Sequence, residues 1–136
     1  MGFDDEVWLE LYPTIGPMWM EKGVQLRIAT PGINRRINVF ITMLYPSGAM
    51  VWYTFKGRRS VEYHKHERHL LAFVKHHRIK RIIQVQDNAR PHMSRSTQNF
   101  LKEHQAIQPF YLPAYSPQLN DVECKNRRLK HYLCRN

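Results

Sequence analysis

The chain has no run of apolar residues near the roughly 18 needed to cross a bilayer. Its amino terminus, MGFDDE, carries acid where a secretory signal carries base. Both absences point to a soluble, cytoplasmic protein. Cysteine is scarce: Cys124 and Cys134 stand on the expected last helix, too few for a disulfide framework and without the paired spacing of a zinc site. Acid is also scarce, at 11 Asp+Glu against 21 Lys+Arg, for a net charge of +10. Such a balance points to a polyanionic partner rather than to any fold. The excess is uneven. Residues 1–68 hold nine basic and seven acidic side chains, whereas residues 69–136 hold twelve and four. A surface for a phosphate backbone is therefore expected mainly on elements of the second half. No internal repeat or low-complexity segment is visible.

What is present suffices for one domain. The 136 residues are 43% hydrophobic and 12% aromatic, and a domain of this size buries on the order of 70% of its unfolded surface. Asp5 to Leu11 reads as a short strand, ended by the Pro-Gly-rich stretch Pro13, Gly16, Pro17 and Gly23. Ile37–Tyr45 and Ala49–Phe55 are β-branched and aromatic, and Pro46-Ser47-Gly48 between them predicts a hairpin. The spacing of Tyr63, Leu70, Leu71, Phe73 and Val74 predicts a helix over 61–77. Arg81–Gln86 reads as a strand, Ser94–His104 as a helix, Ile107–Pro113 as a strand and Asn120–Leu133 as a helix. Three strands followed by strand-helix alternation imply an α/β architecture, a mixed sheet with helices packed over it.

Three carboxylates fall where elements begin or end: Asp5 in the first strand, Asp87 closing a buried strand, and Glu123 in the first turn of the last helix. Strand ends and a neighbouring helix can converge in such a sheet, so acids distant in sequence can share one cleft. Hard carboxylate oxygens suit Mg²⁺, which leaves positions open for water and phosphate. Each acid also has a plainer reading. Asp87-Asn88 fits an Asx turn ending a strand. Asn120 and Glu123 fit a capping box, in which the glutamate closes back on the cap. Asp5 between Asp4 and Glu6 fits a solvated acidic patch. The residues alone leave both readings open.

The wording around these acids resembles the catalytic domain of DDE transposases of the mariner-like insertion-sequence superfamily. The resemblance is carried by Asp5-Glu6 with Pro13, Trp19 and Gly23, by VQDNARPH over 85–92, by LPAYSPQLNDVE over 112–123, and by Leu129-Lys130. It implies one RNase H-like domain over 1–136, with a mixed five-stranded sheet flanked by helices. It also implies a catalytic triad of Asp5, Asp87 and Glu123, with 35 residues between the last two, a gap of the length this superfamily uses. By resemblance these three hold two Mg²⁺ or Mn²⁺ ions, and an activated water or DNA 3′-hydroxyl attacks a phosphodiester, first to cut an element end and then to join it to target DNA. Transposon ends and target duplex are the implied partners, with room for a homodimer.

Around the triad, Asn88 and His92 are expected to line the site, His92 by orienting a phosphate or an acid. Tyr115, Ser116, Pro117 and Asn120 are expected to shape the loop and cap that aim Glu123. Glu123, Arg127 and Lys130 lie at i, i+4 and i+7 of one helix, so Arg127 and Lys130 extend that face toward DNA phosphates; an ordinary Glu-Arg surface pair fits the same spacing. Arg35, Arg36, Arg58, Arg59, Lys80 and Arg81 are phosphate contacts only in aggregate. Packing is the expected role of Trp19 and Trp52, with base stacking the alternative. His64, His66, His69, His76 and His77 lack the i, i+4 pairing of a helical zinc site and read as a solvated helix face.

Several residues depart from the family pattern. Only Met1 to Asp4 precede the first acid, so the helix-turn-helix modules usual before this domain, and recognition of element ends with them, are expected to be absent. The strand leading into Asp5 reads as only a few residues long, which would leave Asp5 poorly held and Asp4 as a wrong-register competitor. Asn126 stands where the family commonly has tryptophan, an expected loss of an apolar anchor. Three functions remain open: a metal-dependent transposase core, an inactive DNA-binding remnant, and an RNase H-type nuclease.

Overall fold

The structure, a computed structural model, describes residues 1–10, 19–24, 27, 29, 32, 33, 35–57, 60–114 and 116–133; the side chains of residues 117, 124 and 129–133 lie outside the description. Five strands, β1 (Gly2–Glu10), β2 (Arg36–Leu44), β3 (Met50–Phe55), β4 (Ile82–Gln86) and β5 (Ile107–Tyr111), form one sheet in the order β3-β2-β1-β4-β5. β1, β2 and β3 pair antiparallel, whereas β1 with β4 and β4 with β5 pair parallel. The helices are α1 (Ser60–His76), α2 (Arg90–Met93), α3 (Arg95–Glu103) and α4 (Val122–Leu133). The mixed five-stranded sheet with flanking helices is thus the architecture expected from the element order.

Local chemistry explains the elements. In the hairpin, the Leu44 amide donates to the Ala49 carbonyl at 2.8 Å, and Gly48 takes the left-handed φ of +71° that glycine tolerates. At the start of β1, a Cβ on Gly2 would lie 2.9 Å from Thr42 Cγ2 and 3.1 Å from Ile82 Cδ1. The absence of a side chain there lets β1 sit between β2 and β4. One difference from expectation is α2, a single turn over Arg90–Met93 with Pro91 as its second residue, which a helix beginning at Ser94 omits. Ser94 instead separates the two helices and caps α3, its Oγ accepting from the Thr97 amide at 3.2 Å.

Side chains alternate across the strands, and the two faces of the sheet are covered unequally. On one face, Leu44, Val51, Ile82 and Ile107 pack with Leu70 and Val74 of α1 and Phe100 and Leu101 of α3. Phe40 and Phe55 extend this layer, stacked at 4.1 Å with Tyr63 against them. On the other face, α4 covers β1 and β2, and Val122 is buried with Val7, Val39, Ile41 and Met43. The register Asp5↔Ile41 and Val7↔Val39 puts Asp5 on the α4 face, and Asp4↔Thr42 puts Asp4 on the α1 face.

Candidate active site

The two aspartates of β1 have separate surroundings. Asp4 is 1% exposed; its Oδ1 accepts from Thr42 Oγ1 at 2.7 Å and lies 3.1 Å from His66 Nε2. Asp5 is half-buried, its Oδ1 accepting from the Glu6 amide at 2.8 Å and its Oδ2 from Asn126 Nδ2 at 2.6 Å. The strand leading into Asp5 is short as expected, only Gly2 to Asp4, but the expected poor hold on Asp5 is corrected. β1 begins at Gly2, is paired with β2 from its first residue and with β4 through Gly2 and Phe3, and Asp4 does not compete because it points into the core.

Asp87 follows the last residue of β4, and its Oδ1 accepts from the Ala89 amide at 2.9 Å. The Asx turn and the cleft position therefore coexist. His92 of α2 is 1% exposed, with Nδ1 3.0 Å from Asp87 Oδ1 and Nε2 3.8 Å from Asp4 Oδ2. Burial alone would lower the His92 pKa, but the bond to Asp87 and the charges of Asp4 and Asp87 outweigh it and raise the value to about 9. The same bond to His92 holds the Asp87 carboxyl below the usual carboxylate range. The His92 side chain thus bridges toward both faces of the sheet. Asn88 Nδ2 donates to the Leu112 carbonyl at 2.9 Å, joining the ends of β4 and β5 beside Asp87.

Glu123 stands in the first turn of α4. The expected side-chain cap is corrected: Asn120 Nδ2 donates to the Asp4 carbonyl at 2.8 Å, and only the Asn120 backbone carbonyl accepts from the Glu123 amide, at 3.0 Å. Asn120 ties the start of α4 to β1 and in that way sets where Glu123 points.

Asp5, Asp87 and Glu123 line one cleft of about 410 Å³, with Asn88, Leu112, Pro113 and Asn120 among its walls. A second cleft of about 380 Å³ is lined by Asp5, Glu6, Trp8, Glu123, Asn126 and Arg127. Asp5 and Glu123 are common to both clefts. Burial pushes the Asp5 carboxyl up to about 6; the Glu6 and Asn126 donors pull it down, and the charges of Asp4 and Glu123 add to the rise. Arg127 is exposed and faces the second cleft, while the Lys130 side chain and residues Tyr115, Arg58 and Arg59 lie outside the described set. Arg35, Arg36, Lys80 and Arg81 are all exposed.

Sequence reading missed the chemistry on the α1 face. His66 and Glu67 are both fully buried, so the histidine-rich helix is not simply a solvated face. Asp4, His66 and Glu67 each offer a ligand atom within 4.8 Å of the others, the group among the described residues that matches a metal-ligand pattern. Glu67 Oε1 accepts from Gln84 Nε2 at 2.8 Å, and burial, with the nearby Asp4 charge, pushes its carboxyl up to about 7. The strand period placing Asp4 inward was a usable signal; the adjacent His66-Glu67 pair gave none. Packing was also the wrong expectation for Trp19 and Trp52, which are 103% and 61% exposed.

A sequence family described as DDE superfamily endonuclease matches residues 1–136. The chain belongs to that family. The chain is 32% identical over 134 residues to the insertion element IS630 uncharacterized 39 kDa protein of Shigella sonnei, covering 98% of this chain and 38% of that protein. Among solved structures, the Mos1 mariner paired-end complex with Mn superposes with a TM-score of 0.75 at 20% identity, over 99% of this chain and 42% of the other. The catalytic domain of Mos1 mariner transposase gives 0.66 at 16% identity, over 99% and 60%. These DDE endonuclease likenesses agree with the RNase H-like fold implied by the motifs. The chain spans about two fifths of the length of the IS630 protein and of the Mos1 complex chain. No described helix is long and apolar enough to cross a membrane.

Proposed function

We propose that residues 1–136 form one DDE catalytic domain that cuts DNA phosphodiesters and joins 3′-hydroxyl ends to target DNA, with Asp5, Asp87 and Glu123 holding two divalent cations. The single observation carrying this reading is the convergence of these carboxylates, from β1, the end of β4 and α4, on one cleft. The donor set fits: three carboxylates supply hard oxygens, and a bound cation would offset the burial that chiefly raises the Asp5 carboxyl and the smaller repulsion from Asp4 and Glu123. When bound, a cation pair supplies activation of the attacking oxygen and stabilisation of the leaving oxygen. The solved Mos1 complexes with Mg and with Mn are consistent with this choice of metal.

The chain's own residues divide the remaining work. Glu6 and Asn126 hold the two oxygens of Asp5, while Ala89 and His92 hold Asp87. His92, charged at neutral pH, keeps Asp87 ionised and ready to ligate. Arg127, beside the second cleft, is placed to meet a phosphate flanking the reacting one, and Lys130 continues along the same helix. The net charge of +10 favours association with duplex DNA. Transposon-end and target DNA are the proposed partners.

A plasmid-nicking assay tests the reading. Nicking is expected in Mn²⁺, and it is expected to disappear in Asp87→Ala, in Glu123→Gln and on chelation. Equal nicking by parent and variants would overturn it. Competition by an RNA-DNA hybrid, stronger than by duplex DNA, would favour an RNase H-type substrate instead.

A further inference from the structure

The substitution of asparagine for the tryptophan common in this family reads in sequence as a lost apolar anchor. In the structure it is a polar contact inside the site. Asn126 is 6% exposed, and its Nδ2 donates to Asp5 Oδ2 at 2.6 Å. We propose that Asn126 is a positioning residue whose side-chain amide holds Asp5 and fixes its place relative to Glu123. The proposal rests on the reading that these carboxylates bind divalent cations.

Asn126 follows Glu123 by three residues on α4, so the two share a helix face. The bond from Asn126 to β1 therefore joins the helix carrying one carboxylate to the strand carrying the other. Asp5 Oδ1 is already held by the Glu6 amide at 2.8 Å, so each oxygen has one fixed donor and keeps a lone pair free. A neutral amide suits this task. A lysine or arginine would compete with the cation for the carboxylate, and an acid would repel Asp5. The arrangement also has a cost that stability alone would select against, because Asn126 Oδ1 is buried with no hydrogen-bond partner among the described residues. An apolar side chain would leave no such orphan.

The test is Mn²⁺ binding to the full chain by calorimetry, with melting temperature measured separately in the absence of metal. Parent, Asn126→Ala, Asn126→Leu and Asp87→Ala are compared. Loss of a partner behind a ligating group typically costs 10 to 100-fold in metal affinity. Asn126→Ala is expected to weaken Mn²⁺ binding by about tenfold, and Asn126→Leu, close in size but without the donor, to weaken it comparably. Undiminished Mn²⁺ affinity in either Asn126 variant overturns the proposal, including the case where only the melting temperature falls. If Asp87→Ala abolishes binding while the Asn126 variants do not weaken it, only the positioning role fails. Binding that is absent in the parent, or unaltered in Asp87→Ala, overturns the cation-site reading itself.

Discussion

Two neighbouring aspartates on β1 show how one strand serves two purposes. Asp4 faces α1, is closed off from solvent and is held by Thr42 and His66. Asp5 faces α4, borders two clefts and is held by Glu6 and Asn126. The period of two along a strand makes the difference: it turns one carboxylate into the core and the other toward the clefts. His92 lies between the two settings, near Asp87 on one side and Asp4 on the other. The comparison predicts that changes on the α4 face alter activity, whereas changes on the α1 face alter stability.

The largest effect is expected on the cleft side. Glu123→Gln keeps the shape of the side chain but removes a charged ligand, and metal-dependent nicking should fall to background with little change in the urea midpoint. On the other face, Asp4→Ala removes the buried carboxylate that accepts from Thr42 Oγ1 and lies beside His66 Nε2. Removing one partner of a buried hydrogen-bonded group typically costs about 1 to 3 kcal/mol, so its loss in urea titrations should be about that size. Asp5→Asn should not be destabilised comparably, since Asp5 is only half-buried and its charge is opposed by burial. Matching stability losses at the two positions would break the comparison.

Much of this was legible before any coordinates. The hairpin over Arg36–Phe55 followed from β-branched and aromatic runs around a Pro-Ser-Gly turn, and the later alternation of strands and helices followed from apolar spacing. The three acids were legible because each sits in local wording that resembles the family's; Asp87 and Glu123 also stand at element boundaries, whereas Asp5 lies inside β1. Other features depended on long-range contacts that no local window records. Asn120 looks like a cap in sequence, yet its amide is claimed by the Asp4 carbonyl 116 residues away. Asn126 looks like a lost anchor, yet it meets Asp5 across 121 residues. A histidine-rich helix is polar on average, so His66 reads as solvated in sequence, while the buried face of α1, with His66 and Glu67 on it, depends on which side meets the sheet.

A smaller effect sharpens the α1 side. The Glu67 carboxyl is pushed up from 4.5 to about 7 by burial, so the folded state holds a proton that the unfolded state releases. By linkage, that group makes stability fall as pH rises between those values. Glu67→Gln should remove this slope, and the stability difference should shift in favour of the variant from pH 4.5 to pH 7; urea midpoints across that window check it. The smallest effect is expected at the rim of the second cleft. If Arg127 meets one phosphate, Arg127→Ala should reduce the slope of log affinity against log salt by about 0.9 on duplex DNA. Fluorescence anisotropy at several salt concentrations reads this directly.

The most direct measurement is anomalous scattering from a crystal soaked in Mn²⁺. Peaks are expected on the α4 face of β1, between Asp5, Asp87 and Glu123, with none at the buried Asp4, His66 and Glu67 group. Peaks at that buried group alone, with the cleft empty, would contradict the division of labour between the two faces and the proposed site with it.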